Sequence, residues 1–303
     1  MNIQELTDEF LLYLSAVRGL SDNTCLGYKN DLVQLQSFLS PQMEIQSVTK
    51  ENLLLCIGQL SKKNRSSASI NRFISAVRTM FLYAVKFNHL QNNPALELKT
   101  VKLEKKLPNF MTKAEVNEIC NEPEKNELLW KTRDECLFKM LYSSGCRLSE
   151  ITNLKLSDFL NNYSSAVVTG KGNKQRRVFF EKDALDALEH YLSDRKKILE
   201  ENGSSFTDYL FINQRGQPLT TGGIRFILSK YSGAEGTKHH VNPHAFRHTF
   251  ATTMLSNGAD IRLVQEMLGH SSISTTQRYT HITTEQLIET YNKAHPHGKN
   301  FKE

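Results

Sequence analysis

No stretch of this 303-residue chain approaches the roughly 18 or more consecutive apolar residues of a membrane span. Met1-Asn-Ile-Gln-Glu5 has neither the basic start nor the apolar run of a secretion signal. The five cysteines, Cys25, Cys56, Cys120, Cys136 and Cys146, never form a Cys-x-x-Cys pair, so neither a disulfide framework nor a zinc site is indicated. There are no internal repeats and no low-complexity tracts. These absences predict a cytoplasmic protein with no membrane partner.

The apolar content of 39% suits soluble globular domains, and the length predicts two of ordinary size. The net charge of +6 is modest but unevenly spread. Residues 1–60 hold three basic and seven acidic side chains, a net of −4, whereas residues 61–106 hold ten basic and two acidic, a net of +8. On charge alone, that block is either a surface for a polyanion or a solvated helix face followed by a basic linker. Its candidates for contact with a polyanion are Lys62, Lys63, Arg65 and Arg72.

The first hundred residues have helical periodicity. Leu6, Phe10, Leu14 and Val17 recur at helical spacing before Gly19, and Ser21-Asp-Asn-Thr24 can cap a helix that ends before Pro41. Thr49 opens a third helix. A fourth turns Ile70, Phe73, Val77, Phe81 and Ala84 inward and stops at Asn92-Asn-Pro94. The expectation is a four-helix domain over 1–98, a charged linker over 99–111 and a second domain over 112–303. Thr112-Lys-Ala-Glu115 is a capping box that opens the second domain. There, 133–143 predicts a buried helix broken by Gly145. Ala166-Val-Val-Thr169 and Arg177-Val-Phe-Phe180 predict a β-hairpin, and Tyr209-Leu-Phe-Ile212 a third strand. Further helices are expected near 183–200, 221–231, 244–256, 260–268, 272–280 and from about 284.

Six residues supply the parts of a phosphoryl-transfer site. They are Arg147 in Gly145-Cys-Arg-Leu-Ser-Glu150, Lys171 in Gly170-Lys-Gly172, His244 and Arg247 in His-Ala-Phe-Arg, His270 in Leu268-Gly-His270, and Tyr279. A tyrosine attacking a phosphodiester needs cations on the non-bridging oxygens and an acid for the leaving alkoxide. Each residue also has an ordinary reading. Arg147 can pair with Glu150, Arg247 can be a helix-surface charge, and Lys171 with Lys174 and Arg176 can be a solvated hairpin tip or a phosphate clamp. Beside a phosphodiester site, Lys174 and Arg176 become candidates for contact with DNA, together with Lys62, Lys63, Arg65 and Arg72. His244 and His248, four apart, share a helical face as metal ligands do, but Ala245 stands where a zinc protease needs glutamate.

The order Arg, Lys, His-x-x-Arg, His, Tyr resembles the tyrosine recombinase, or lambda-integrase, family, and the stretch from Asn242 to His281 is similar to its Xer recombinases. Tyr279 stands nine residues after His270, the separation that Xer sequences show. The resemblance spans nearly the whole chain, including Arg18-Gly-Leu-Ser21 with Thr24 and Tyr28, and Leu107-Pro108. It implies a mainly α fold: a helical core-binding domain, then a mostly helical catalytic domain with a small antiparallel sheet. It implies that Tyr279 is the nucleophile, that Arg147 and Arg247 clamp the phosphate, and that Lys171 protonates the 5′ oxygen. His244 and His270 would bond near the phosphate, and Glu150 would orient an arginine. Neither a metal nor another cofactor is implied.

The partners that the resemblance implies are double-stranded DNA bearing a specific site, and a tetramer on two such sites, built of this chain alone or with a paralogue. A septal DNA translocase is a further partner of that kind. Phe246 and Thr253 depart from the family's usual leucine and the Xer histidine, which bears on subfamily rather than chemistry. The rival readings are a mobile-element integrase, a type IB topoisomerase and a DNA-binding protein without catalysis. The Xer-like ending Tyr291-Asn-Lys-Ala-His-Pro296 tells against the first of these.

Overall fold

The computed structural model describes residues 1–103, 111–125, 128–203, 207–232, 243–269 and 284–296, with Lys113, Lys171 and Thr284 described by their backbone alone. The chain divides into two compact units, Met1–Leu107 and Pro108–Glu303.

In the first unit, α1 (Ile3–Leu12) is opened by a capping box between Asn2 and Glu5 and buries Ile3, Leu6 and Phe10. Its course continues as a π-turn over Tyr13–Val17 that seats Leu14, whereas Val17, expected in the same apolar row, is exposed. α2 (Asp22–Leu39) follows, then α3 (Lys50–Lys62), capped by Thr49. α4 (Ser67–Lys86) buries the face formed by Ile70, Phe73, Val77, Phe81 and Ala84. The basic block is of two kinds. Lys62, Lys63 and Arg65 are exposed. Arg72 instead donates from Nε and Nη2 to both carboxylate oxygens of buried Asp31 at 2.9 and 3.0 Å, and Arg78 donates to the carbonyls of Ala95 and Leu98.

The second unit is built around α6 (Lys131–Ser144), which is buried between α5 (Lys113–Lys125), α8 (Lys182–Glu201) and α10 (Pro243–Ser256). The Thr112–Glu115 capping box is formed at 2.6 and 3.2 Å. Gly145 ends α6 in the left-handed region, at φ 58°, and α7 (Leu148–Asn153) starts at once. The sheet is antiparallel, in the order β1 (Phe159–Leu160), β2 (Ser165–Thr169), β3 (Gln175–Phe179), with Ala166 opposite Val178 and Thr169 opposite Gln175.

The third strand is therefore the two-residue β1 before the hairpin, and the strand expected at Tyr209–Ile212 is corrected. That segment makes single bridges at Tyr209 and Ile212. Side chains of α8 take its backbone groups: Arg195 donates to the carbonyls of Thr207, Tyr209 and Leu210, while the Tyr191 hydroxyl bonds Leu210 O and Ile212 N. α9 (Thr221–Tyr231) and α11 (Ile261–Leu268) follow the expected pattern. The helix expected near 272–280 lies outside the described residues. α12 (Thr284–Ala294) folds back on its own unit: Tyr291 is buried against Phe179 and Phe250, stacks on His295 at 4.8 Å, and bonds Ser143 through its hydroxyl. Among the described residues no helix is long and apolar enough to cross a membrane.

Arg72 thus has a structural duty. Arg72→Gln should lower the stability of the first unit by about 1 kcal/mol, less than the roughly 1.5–3 kcal/mol of a hydrogen bond to a charged group, because the arginine side chain is 61% exposed. Urea unfolding measures this, and Lys62→Gln should leave the midpoint unmoved.

Candidate active site

The site begins with one carboxylate. Glu150, the third residue of α7, is 3% exposed and accepts from two arginines. The Arg147 backbone N–H donates to Oε2 and its guanidinium Nη1 to Oε1, both at 2.7 Å. From β3, Arg176 donates through Nη1 to Oε1 at 2.6 Å and through Nη2 to Oε2 at 2.8 Å. Burial alone would raise the Glu150 carboxyl. The hydrogen bonds and charge of Arg176, with those of Arg147, bring it below the ordinary range instead.

The same arginines, with Arg247, meet the end of α11. A helix leaves its last carbonyls without intrahelical partners, and its C-terminus favours cations. Here Arg176 Nε donates to Met267 O at 2.7 Å, Arg247 Nη2 to Leu268 O at 2.6 Å, and Arg147 Nη2 to Gly269 O at 2.8 Å. Arg247 Nη1 also donates to Gly145 O at 2.8 Å, which joins the ends of α6 and α11.

Glycine eases two of these approaches. At Gly145, besides its positive φ, a Cβ would stand 2.7 Å from the Phe250 ring. At Gly170 a Cβ would stand 3.1 Å from Glu150 Oε1 and 3.3 Å from Arg147 Nη1. The hairpin can therefore descend onto the ion pair just before Lys171, and Gly170 N–H closes its turn on Lys174 O at 2.8 Å.

Three guanidinium groups around one carboxylate leave a surplus of two positive charges. Arg247 carries the strain: burial, then Arg147 and Arg176, draw its guanidinium down to about 10. The chemistry that complements such a cluster is an anion with several oxygens, to which arginines donate in pairs.

Arg147 and Arg247, 100 residues apart in sequence, thus come together. His244 is exposed on the first turn of α10, one turn before Arg247. The backbone of Lys171 follows Gly170 at the hairpin tip, where Lys174 is exposed. His270 and Tyr279 lie outside the described residues; the residue before His270, Gly269, is held by Arg147.

Arg176, expected to face DNA, is corrected: its side chain is 8% exposed and all three of its nitrogens are engaged inside the protein. Strand alternation held the missed signal, because of two neighbouring arginines in a strand one must turn inward. Arg177, on the other face, donates to Ser165 Oγ at 2.9 and 3.1 Å. Among the described residues no cluster of three His, Cys, Asp or Glu side chains could hold a metal.

Because the Glu150 carboxyl lies below its unfolded value of about 4.3, its stabilisation is fully present above that pH. It is lost as pH falls through the folded value. Glu150→Gln should therefore lower the stability of the second unit by about 1–3 kcal/mol at neutral pH. In urea unfolding across pH, the gap from wild type should close on acidification.

Residues 109–286 match the phage integrase family, and residues 7–88 match the phage integrase N-terminal SAM-like domain. The tyrosine recombinase XerC of Treponema denticola is 42% identical over 98% of this chain and all of its own length. The XerC of Oceanobacillus iheyensis is 38% identical over the whole of both chains. The Tn1549 transposon integrase in complex with transposon right end DNA has the same fold, with a TM-score of 0.73, 19% identity and coverage of 94% of this chain and 97% of its own. A lambda integrase dimer bound to a core site superposes with a TM-score of 0.72 at 18% identity, over 93% of this chain and all of the other. Matched along both units by relatives of one kind, the chain belongs to the phage integrase family and is a tyrosine recombinase of the Xer type.

Proposed function

We propose that this site-specific recombinase cleaves double-stranded DNA through Tyr279, and that its task is the resolution of chromosome dimers. The observation that carries the chemistry is the convergence of Arg147 and Arg247 in a cationic cluster at the end of α11, whose last described residue, Gly269, directly precedes His270 in sequence.

The phenol oxygen of Tyr279 attacks phosphorus, the bond to the 5′ oxygen breaks, and a 3′-phosphotyrosyl link with a free 5′-hydroxyl results. An ordinary phenol titrates near 10, so its proton must be accepted during attack; His244 takes it. Arg147 and Arg247 hold the non-bridging oxygens as charge grows on them, and His270 donates to one of the same oxygens. Lys171 gives its proton to the leaving 5′ oxygen. The 5′-hydroxyl of the partner strand then attacks the phosphotyrosine and restores a phosphodiester, so the bond energy is conserved and neither ATP nor a metal takes part. Exposed Lys62, Lys63, Arg65 and Lys174 supply phosphate contacts along the duplex. Four protomers on two sites, of this chain alone or with a paralogue, exchange the strands, and a septal DNA translocase starts the reaction.

Tyr279→Phe should bind site DNA as the wild type does and form no covalent adduct on a nicked suicide substrate. An adduct at wild-type yield would identify another nucleophile and end this reading. Lys171→Ala should cleave slowly, by about 10²–10⁴-fold, as expected for a lost general acid. A substrate with sulfur at the 5′-bridging position leaves without a proton and should recover most of that rate. Failure of the sulfur substrate to do so would reduce Lys171 to a phosphate contact.

A further inference from the structure

We propose that Arg176 is a positioning residue for strand cleavage, which sets the reach of Arg147 and the exit of the chain from α11 at Gly269 by binding both oxygens of Glu150 and the carbonyl of Met267 at once. The proposal rests on the reading of Arg147 and Tyr279 given above.

Arg176 lies in β3, one strand of the hairpin whose tip bears Lys171. Its Nη1 and Nη2 reach Glu150, which in turn fixes the Arg147 backbone and guanidinium. Its Nε reaches Met267 O, two residues before the carbonyl that Arg147 itself holds. One planar fork therefore ties together the hairpin, the N-terminus of α7 and the C-terminus of α11. The aliphatic part also takes part: Gly269, at φ 64°, would place a Cβ 3.0 Å from Arg176 Cδ.

Arg176 is too buried to touch DNA, and it is not needed merely to neutralise Glu150, which Arg147 already contacts. Its contribution is directional. A lysine has the charge but one nitrogen, and cannot meet three acceptors spread around a fork. Without the fork the Glu150 carboxylate is held from one side, and the guanidinium of Arg147 is no longer fixed in plane.

The test uses full-length Arg176→Lys and Arg176→Met, the latter also combined with Glu150→Gln. Site-DNA affinity and single-turnover adduct formation at saturating DNA are measured across pH. Arg176→Lys should bind as the wild type does and cleave about a hundredfold more slowly, the scale of a misplacement near 1 Å. The 5′-bridging sulfur substrate should not recover that loss, because the defect lies in the clamp and not in the leaving group.

In Arg176→Met the carboxyl of Glu150 loses its leading counter-charge. The groups that face it are then Arg147, Arg247 and the buried Cys146 thiol. It should take up a proton at higher pH than in the wild type, so cleavage should fall off earlier on acidification, and Glu150→Gln should remove that shift. A residue that only holds the fold together would lower binding and cleavage in parallel and leave the pH profile in place. That result, or wild-type cleavage by Arg176→Lys, would overturn the proposal. No adduct from the wild type itself would overturn the functional reading, and this proposal with it.

Discussion

The pairing of the buried Glu150 carboxylate with Arg147 and Arg176 is the interaction on which the site depends. A carboxylate at 3% exposure is costly unless its oxygens are satisfied, and here both are, by the side chains and one backbone N–H of α7 and β3. Breaking one partner would leave charge in a poorly solvated place, so the arrangement resists partial loss. The same guanidinium groups then have nitrogens to spare for the carbonyls at the end of α11, where helix geometry leaves acceptors exposed. A carboxylate and a helix end fix the arginines from two directions, and the cluster keeps a surplus of positive charge.

Packing explains why these elements meet. α6 is the buried axis of the second unit, and its left-handed end at Gly145 turns the chain directly into Arg147. Phe250 of α10 lies against that glycine, and Arg247, three residues earlier on α10, reaches its carbonyl. The ends of α6, α7 and α11 are thus assembled by a helix whose own first turn bears His244. The last helix shares this core: Tyr291 inserts between Phe179 and Phe250 and bonds Ser143 of α6. A change in how α12 packs would therefore be felt at the end of α6, next to Gly145 and Arg147.

Helices were legible in the sequence where an apolar period and an end signal agreed, as at Thr49, at Thr112 with Glu115, and at Gly145. Periodicity does not show what lies across space. Tyr209–Ile212 has the composition of a strand, yet Tyr191 and Arg195 compete for its backbone groups, while the true third strand is too short to signal itself. Basic side chains raised the same difficulty. Lys62 and Arg72 look alike in a charge count, and only the buried Asp31, forty-one residues earlier in the chain, distinguishes them. Arg176 had a local clue in strand alternation, but its acceptors, Glu150 and Met267, lie 26 and 91 residues away. Arg147 and Arg247 were legible as motif members; what the sequence could not convey was that both are spent partly on protein carbonyls.

In the proposed mechanism, this arginine frame presents a single DNA phosphate to Tyr279. Wild-type protein trapped on a suicide substrate, digested with protease and nuclease and read by tandem mass spectrometry, tests it most directly. The expected result is one nucleotide, joined through its 3′-phosphate to the tyrosine of the peptide that follows His270. A nucleotide on any other residue, or one joined through a 5′-phosphate, would contradict it.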